Sequence, residues 1–438
     1  MNIQSFRKKV VIGIGILVLS FSGCANQTSK TELEEIAQNE AVSKKTEEDT
    51  ALKPESNEAE EENKKDEENS KPEESTQSEE SAKPEEVIDL AVNGQGLKNL
   101  YEENFPIGVA LPRQAFKHMS EYEEVILNNF NSITCENEMK PESLLDKEAC
   151  QSDLENTYEN PVVKFDACDL AVQYALKHDI KIRLHTLVWH SQTPKWFFTE
   201  DYTDDGELVS REVMLKRMEN YIAAVLGHFK EQYPGLIYAV DVVNEAFDKG
   251  DGDETGVRMK KNLWYDTVGD DYYYQAFVFA RKYAAEDMKL FYNDYACVWK
   301  PDMILEHLQK AKDEGLIDGI GMQSHLSIDD DIQYKFMATV KAFCEAGYEV
   351  QATELDIGTN KDGSDEKLMK QARKYKSFFS NMKKLQEEGY NITGITVWGL
   401  NDEMSWRRGE YALLFDGRMN PKKAYEGAML MENIPPVE

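Results

Sequence analysis

A (β/α)8 barrel of the TIM type is the fold this sequence predicts, on three observations. Eight short β-rich runs recur along the chain, helical patterns separate them, and polar residues collect at the C-terminal ends of the runs. The runs are Phe105–Leu111, Asn131–Glu136, Lys181–Trp189, Tyr238–Phe247, Lys289–Tyr295, Gly319–His325, Glu349–Ile357 and Gly394–Leu400. Helical spacing is clearest in Phe165–His178, where Ala167, Leu170, Ala171, Tyr174 and Ala175 share a face, and in Tyr272–Met288, Pro301–Glu314 and Lys335–Ala346. Pro301 and Pro421 suit a first helical turn. Strands that alternate with helices pair in parallel, and eight units in one body favour a closed barrel over an open sheet.

The part ahead of the barrel reads differently. Arg7, Lys8 and Lys9 form a basic head before the apolar run Val10–Phe21. That run is short of the roughly 20 residues a bilayer span needs, and it fits the h-region of an export signal. Ser22-Gly23 ahead of Cys24 resembles a bacterial lipoprotein signal, with Cys24 as the lipidated residue, although Phe21 departs from the usual Leu. Two acyl chains at one Cys would supply the two signals that stable anchoring requires. The expected location is therefore exported, at the cell surface or outside, tethered to a bacterial membrane through Cys24.

Residues 25–86 carry 21 acidic and 8 basic side chains and no aromatic residue. Lys-Pro-Glu recurs at positions 53–55, 71–73 and 83–85. Such a stretch cannot bury enough apolar surface to offset its ordering entropy, and is read as a disordered acidic spacer. The expected division is thus 1–24 signal, 25–86 linker and 87–438 barrel.

Composition bounds the function. Of the formal net charge of −32, the segment 25–86 holds −13. With 82 acidic against 50 basic residues, a nucleic-acid surface is excluded, because phosphate would be repelled. Besides Cys24 there are five cysteines, Cys135, Cys150, Cys168, Cys297 and Cys344, with no metal-binding spacing among them. Neither a metal nor an organic cofactor is expected, and a monomer is.

Chemistry is expected where polar residues interrupt buried strands. A parallel strand covered on both faces should be nearly all apolar. The exceptions are Glu136, His185, Asn244-Glu245, Asn293-Asp294, Gln323, His325, Glu354, Asp356 and Trp398, all at strand ends. In this fold that is the face that carries active sites. A single glutamate there could cap a helix or pair with a cation. Two of them, Glu245 after the fourth strand and Glu354 in the seventh, surrounded by amides and indoles, point to paired-carboxylate chemistry. Asp356, His325 and Glu354 could form a hydrogen-bond chain that orients the imidazole and keeps Glu354 ionised. Asn244 and Gln323 are placed in support. Trp189, Trp398 and Trp406 offer flat faces for sugar rings, and Glu136, Asn137, Lys140, His185, Gln192 and Tyr295 offer further contacts.

At this point the motifs become specific. Asn131-Ser-Ile-Thr-Cys-Glu-Asn-Glu-Met-Lys140, His185-Thr-Leu-Val-Trp-His-Ser-Gln192, Asp241-Val-Val-Asn-Glu245, Gly321-Met-Gln-Ser-His325, Thr353-Glu-Leu-Asp356 and Thr396-Val-Trp-Gly-Leu-Asn-Asp402 resemble glycoside hydrolase family 10. That family comprises retaining endo-1,4-β-xylanases. The resemblance implies that Glu245 is the acid/base and Glu354 the nucleophile, with xylan as substrate. It also implies a carboxyl separation of roughly 5–5.5 Å. Two departures concern subsite detail, Pro141 and Ala296. Residues 150–163 look like a lengthened loop after the second strand, expected to reshape one end of the cleft. Two other readings share these residues: a β-1,4-glucanase or mixed enzyme of the same fold, and a non-catalytic glycan-binding surface lipoprotein.

Overall fold

In the computed structural model, which describes residues 84–437, nine strands form one all-parallel sheet. They are β1 (Ile107–Leu111), β2 (Ser132–Cys135), β3 (Lys181–Trp189), β4 (Ile237–Asn244), β5 (Lys289–Asp294), β6 (Gly319–Met322), β7 (His325–Ser327), β8 (Glu349–Gly358) and β9 (Ile392–Val397). Consecutive pairing from β1 to β6 continues through β6–β8 and β8–β9, and β1–β9 pairing closes the ring. The barrel therefore has eight staves, as predicted. The sixth is broken: β6 pairs β8 through Met322–Ala352, the chain turns at Ser324 (φ +68°), and β7 resumes on β8 at His325–Asp356. The break re-aims His325 toward the barrel mouth.

Aliphatic runs make the staves because both of their faces are covered. Ile107, Val109, Ile133, Ile182, Leu184, Val240, Val242, Leu290, Ile320, Val350 and Ile395 have no exposed surface. A polar cluster sits among these aliphatic staves. The Arg183 guanidinium binds both carboxylate oxygens of Asp241, donates to Gln351 Oε1 at 2.8 Å and lies 4.5 Å from the Phe291 ring. Those partners are what makes a buried cation tolerable there.

The outer helices agree with the sequence reading except at their ends. They run Asp169–His178, Tyr272–Tyr283, Pro301–Asp313 and Gln333–Glu345. Pro301 occupies the first turn as expected, whereas Pro421 lies outside the helix Lys423–Ala428 and pairs with Phe415 instead. The two longest helices, Arg211–Gln232 and Asp365–Glu387, fill gaps that apolar spacing alone had left blank. The first described helix, Pro84–Val92, begins three residues before the expected barrel boundary at 87. The export signal, Cys24 and nearly all of the acidic spacer lie outside the described residues.

Residues 150–163 do not shape the cleft. The segment coils into short helical turns and packs outward: the Tyr202 hydroxyl donates to Thr157 O and the Arg217 guanidinium to Tyr158 O. Its residues are absent from the cleft wall. The five cysteines described are free thiols, four of them buried.

Candidate active site

The C-terminal ends of the staves enclose a cleft of about 710 Å³. Glu136, Asn137, Lys140, His185, Trp189, Gln192, Asn244, Glu245, Tyr295, Gln323, His325, Glu354, Trp398 and Trp406 all line it. Asp356 sits just beneath, without exposed surface. The predicted barrel residues thus lie together, some at strand ends and others, such as Asn137, Lys140, Gln192 and Trp406, in the loops that follow.

Glu354 is the most elaborately held. It is 5% exposed, on β8. Asn293 Nδ2 donates to its Oε1 at 2.6 Å, and His325 Nε2 lies 3.2 Å from its Oε2. Burial alone would push this carboxyl up. The hydrogen bond from His325, the His185 and His325 rings nearby and the Asn293 amide outweigh burial, so Glu354 titrates below its ordinary value.

His325 is in turn fixed from below. Its Nδ1 lies 2.8 Å from Asp356 Oδ2, so Asp356, His325 and Glu354 form the predicted chain. Asp356 also accepts from Trp406 Nε1 at 3.0 Å and from Arg407 at 2.6 Å. Burial disfavours charge on His325, but Asp356, followed by Glu354, overrides it and raises the imidazole to about 10.

Glu245 directly follows β4 in a left-handed conformation (φ +57°), and its backbone N–H donates to Asn293 O at 2.9 Å. Trp189 Nε1 donates to its Oε2 at 3.0 Å and Gln323 Nε2 to its Oε1 at 2.8 Å. Both carboxylates therefore hang from one amide web: Asn293 also donates to Asn244 Oδ1 at 3.0 Å.

Asn293 was visible in the sequence as a strand-end polar residue but carried no assigned role. Its orientation depends on neighbours. The Thr353 hydroxyl donates to its Oδ1, and a Cβ at Gly321 would collide with that oxygen. Arg407 and Asp241 were likewise unassigned. Asp241 Oδ2 lies 3.0 Å from His185 Nδ1 and so couples the barrel's buried pair to the cleft.

The remaining contacts sort by face. Lys140 Nζ reaches Gln192 Oε1 (2.7 Å) and Asn137 Oδ1 (3.1 Å) and lies 5.0 Å from the Trp189 ring. Burial lowers its pKa, against the opposing pull of Glu354, Glu136 and Glu245. Burial also raises Glu136. Trp398 is nearly buried, its ring edge-on to His185 at 5.3 Å. Trp406 is 56% exposed and presents a face. The Tyr295 hydroxyl is already committed, donating to Asp248 Oδ2 and accepting from Arg258, each at 2.6 Å, so only its ring is free for a ligand. Among the described residues no group of three or more His, Cys, Asp or Glu is placed to hold a metal ion.

The arrangement suits cleavage of a polar chain: two carboxylates with different partners, a fixed cation, and indole faces. Comparison with known proteins agrees. Residues 96–430 match Glycosyl hydrolase family 10. The chain is 42% identical over 338 residues to endo-1,4-β-xylanase B of Butyrivibrio fibrisolvens, covering 75% of this chain and 52% of that protein. It is 40% identical over 353 residues to endo-1,4-β-xylanase A of Thermotoga maritima, covering 78% of this chain and 31% of that protein. The chain thus matches 52% of the length of one of these relatives and 31% of the other. Among solved structures, the endo-1,4-β-D-xylanase 10B modules of Clostridium thermocellum, complexed with xylohexaose, superpose with TM-score 0.71 at 35% identity, covering 79% of this chain and 68% of that one. The intracellular xylanase of Thermoanaerobacterium saccharolyticum, as a mutant bound to xylotriose, gives TM-score 0.66 at 35% identity over 76% of this chain and 97% of that one. By the family match, which spans most of the barrel, the chain belongs to glycosyl hydrolase family 10.

Proposed function

We propose that the protein is a retaining endo-1,4-β-xylanase that cleaves internal bonds of xylan by double displacement. The observation that carries this is the environment of Glu354, a buried carboxylate kept ionised by His325 and Asn293, in one cleft with the differently held Glu245. An ionised, dehydrated carboxylate backed by a fixed cation is suited to attack an anomeric carbon.

In this mechanism Glu245 donates its proton to the leaving glycosidic oxygen while a Glu354 oxygen bonds to the anomeric carbon. Glu245 then takes a proton from water, which displaces Glu354 with a second inversion and net retention. Asn293, His325, Asp356 and Arg407 position Glu354; Trp189 and Gln323 position Glu245. Trp406, Lys140, Gln192 and Asn137 grip the sugar chain.

The relatives named as endo-1,4-β-xylanases and the relatives' complexes with xylo-oligosaccharides support xylan as substrate. One relative at 37% identity, from Acetivibrio thermocellus, bears the name exoglucanase, which keeps a glucan within the test. The test is incubation of the purified protein with unbranched xylan and, separately, with a soluble β-glucan. A ladder of short xylo-oligosaccharides with little release from glucan is expected. Action on glucan alone, or on neither, overturns the proposal.

The same proposal extends to the front of the chain. Cys24 is the lipid-bearing residue, residues 25–86 are a spacer, and the barrel works as a monomer outside the cell. The basic head, the short apolar run and the Glu/Lys/Pro-rich composition support this.

A further inference from the structure

Glu245, just past the end of β4, and Glu354 on β8 divide the barrel mouth into two arcs. One arc, above β9, β1, β2 and β3, holds Trp398, Trp406, Glu136, Lys140 and Gln192, where sugar contacts are expected. The other arc, above β5 to β7, has no assigned sugar contact beyond Tyr295. A polymer lying between the two carboxylates must leave the cleft across it.

Trp299 stands on that arc. It lines the cleft, yet it is 58% exposed, and the core does not use it. Its backbone is held firmly. It closes the short 3-10 turn Cys297–Trp299, and its N–H donates to Ala296 O at 2.9 Å. Cys297 before it is buried, with Sγ donating to Asp294 O. Lys300 after it is buried, with Nζ donating to Asp294 Oδ1 (2.8 Å) and Phe247 O (2.7 Å). Two buried anchors thus present one large indole to solvent at the cleft rim. Lys335 Nζ, from the helix Gln333–Glu345, lies 3.7 Å from the centre of that indole. Among the described residues Lys335 makes no ion pair, although Lys341 on the same helix does.

The Lys335 ammonium lies over one face of the indole; the opposite face suits a pyranose ring, and an ammonium that makes no ion pair suits a carboxylate. Beside a cleft lined by Glu136, Glu245, Asp294, Asp330 and Glu354, that ammonium can receive an anion without breaking an existing ion pair. We infer that Trp299 and Lys335 form a distal subsite for a xylose unit bearing a uronic-acid branch, the ring stacking on Trp299 and the branch carboxylate pairing with Lys335. This rests on the xylanase reading above.

The test compares kcat/KM for xylotetraose, xylohexaose and a xylohexaose carrying one glucuronic acid branch. Because the subsite is distal, Trp299→Ala should lower the hexaose-to-tetraose ratio about three- to ten-fold and move the bond at which the hexaose is cut, while Trp299→Phe restores most of the ratio. Lys335→Ala should lower the branched-to-unbranched ratio about two- to five-fold, less at high salt. Unchanged ratios in both variants, with the unaltered protein active, overturn this inference alone. No cleavage of any of the three by the unaltered protein overturns the xylanase reading and this inference with it.

Discussion

Glu354 owes its ionised state to the groups packed around it. His325 lends it a cation, and Asp356, itself gripped by Arg407 and Trp406, keeps that cation charged. In the proposed mechanism Glu354→Ala removes the nucleophile, and turnover should fall by roughly 10⁴-fold or more. Azide fits the space vacated and should restore turnover with an inverted glycosyl azide as product; absence of rescue counts against Glu354 as nucleophile. His325→Asn removes the cation, so Glu354 should titrate higher and the acid limb of the kcat/KM profile should move up by about one pH unit. The same residue links pH to stability. Its folded value, about 10, exceeds its unfolded value, so His325 adds stability in full below about pH 6.5 and loses it as pH rises toward 10. The thermal midpoint should accordingly fall less between pH 7 and 10 in His325→Asn than in the unaltered protein.

At the scale of elements, the staves were legible because a polar residue in a doubly covered strand has few explanations. That rule put Glu245, His325, Glu354 and Asp356 at the barrel mouth, where the structure has them, and the hydrogen-bonded series Asp356–His325–Glu354 lies across neighbouring strand ends. It did not foresee the break at Ser324, since a left-handed residue leaves no mark on hydropathy. It missed Trp299 for a related reason: in a run such as Cys297-Val298-Trp299, an exposed indole and a core indole read alike. The helices Arg211–Gln232 and Asp365–Glu387 escaped because their exposed faces are dense in charge and dilute the apolar stripe. Residues 150–163 were assigned to the cleft by position in sequence, whereas Arg217 and Tyr202 draw them onto the outer layer. Staves β3 and β4 are joined inside the barrel by Arg183 and Asp241, each about 1% exposed. Asp241→Ala leaves that guanidinium buried with Gln351 as its remaining side-chain partner, and should destabilise the fold by about 3–5 kcal/mol in denaturant unfolding. A loss under 1 kcal/mol would mean that water reaches the barrel interior.

For the whole molecule, charge and architecture give separate lessons. The acidic balance argues against a nucleic-acid surface from composition alone, yet it points to no substrate; the ordered motifs from six strand ends carry the resemblance on which the xylan proposal rests. The tether proposal concerns residues 1–86 and is tested apart from catalysis. Cys24→Ser should move the protein from the membrane fraction to the soluble or released fraction with its specific activity on xylan unchanged; an unchanged distribution argues against lipidation at Cys24.

The central claim is that two unlike carboxylates in this cleft cleave xylan with retention. Proton NMR of xylohexaose in the first minutes of reaction tests it most directly, because the anomer formed first appears before mutarotation mixes it. The β-anomer appearing first is the predicted result. The α-anomer appearing first would show single displacement by water and contradict the role assigned to Glu354.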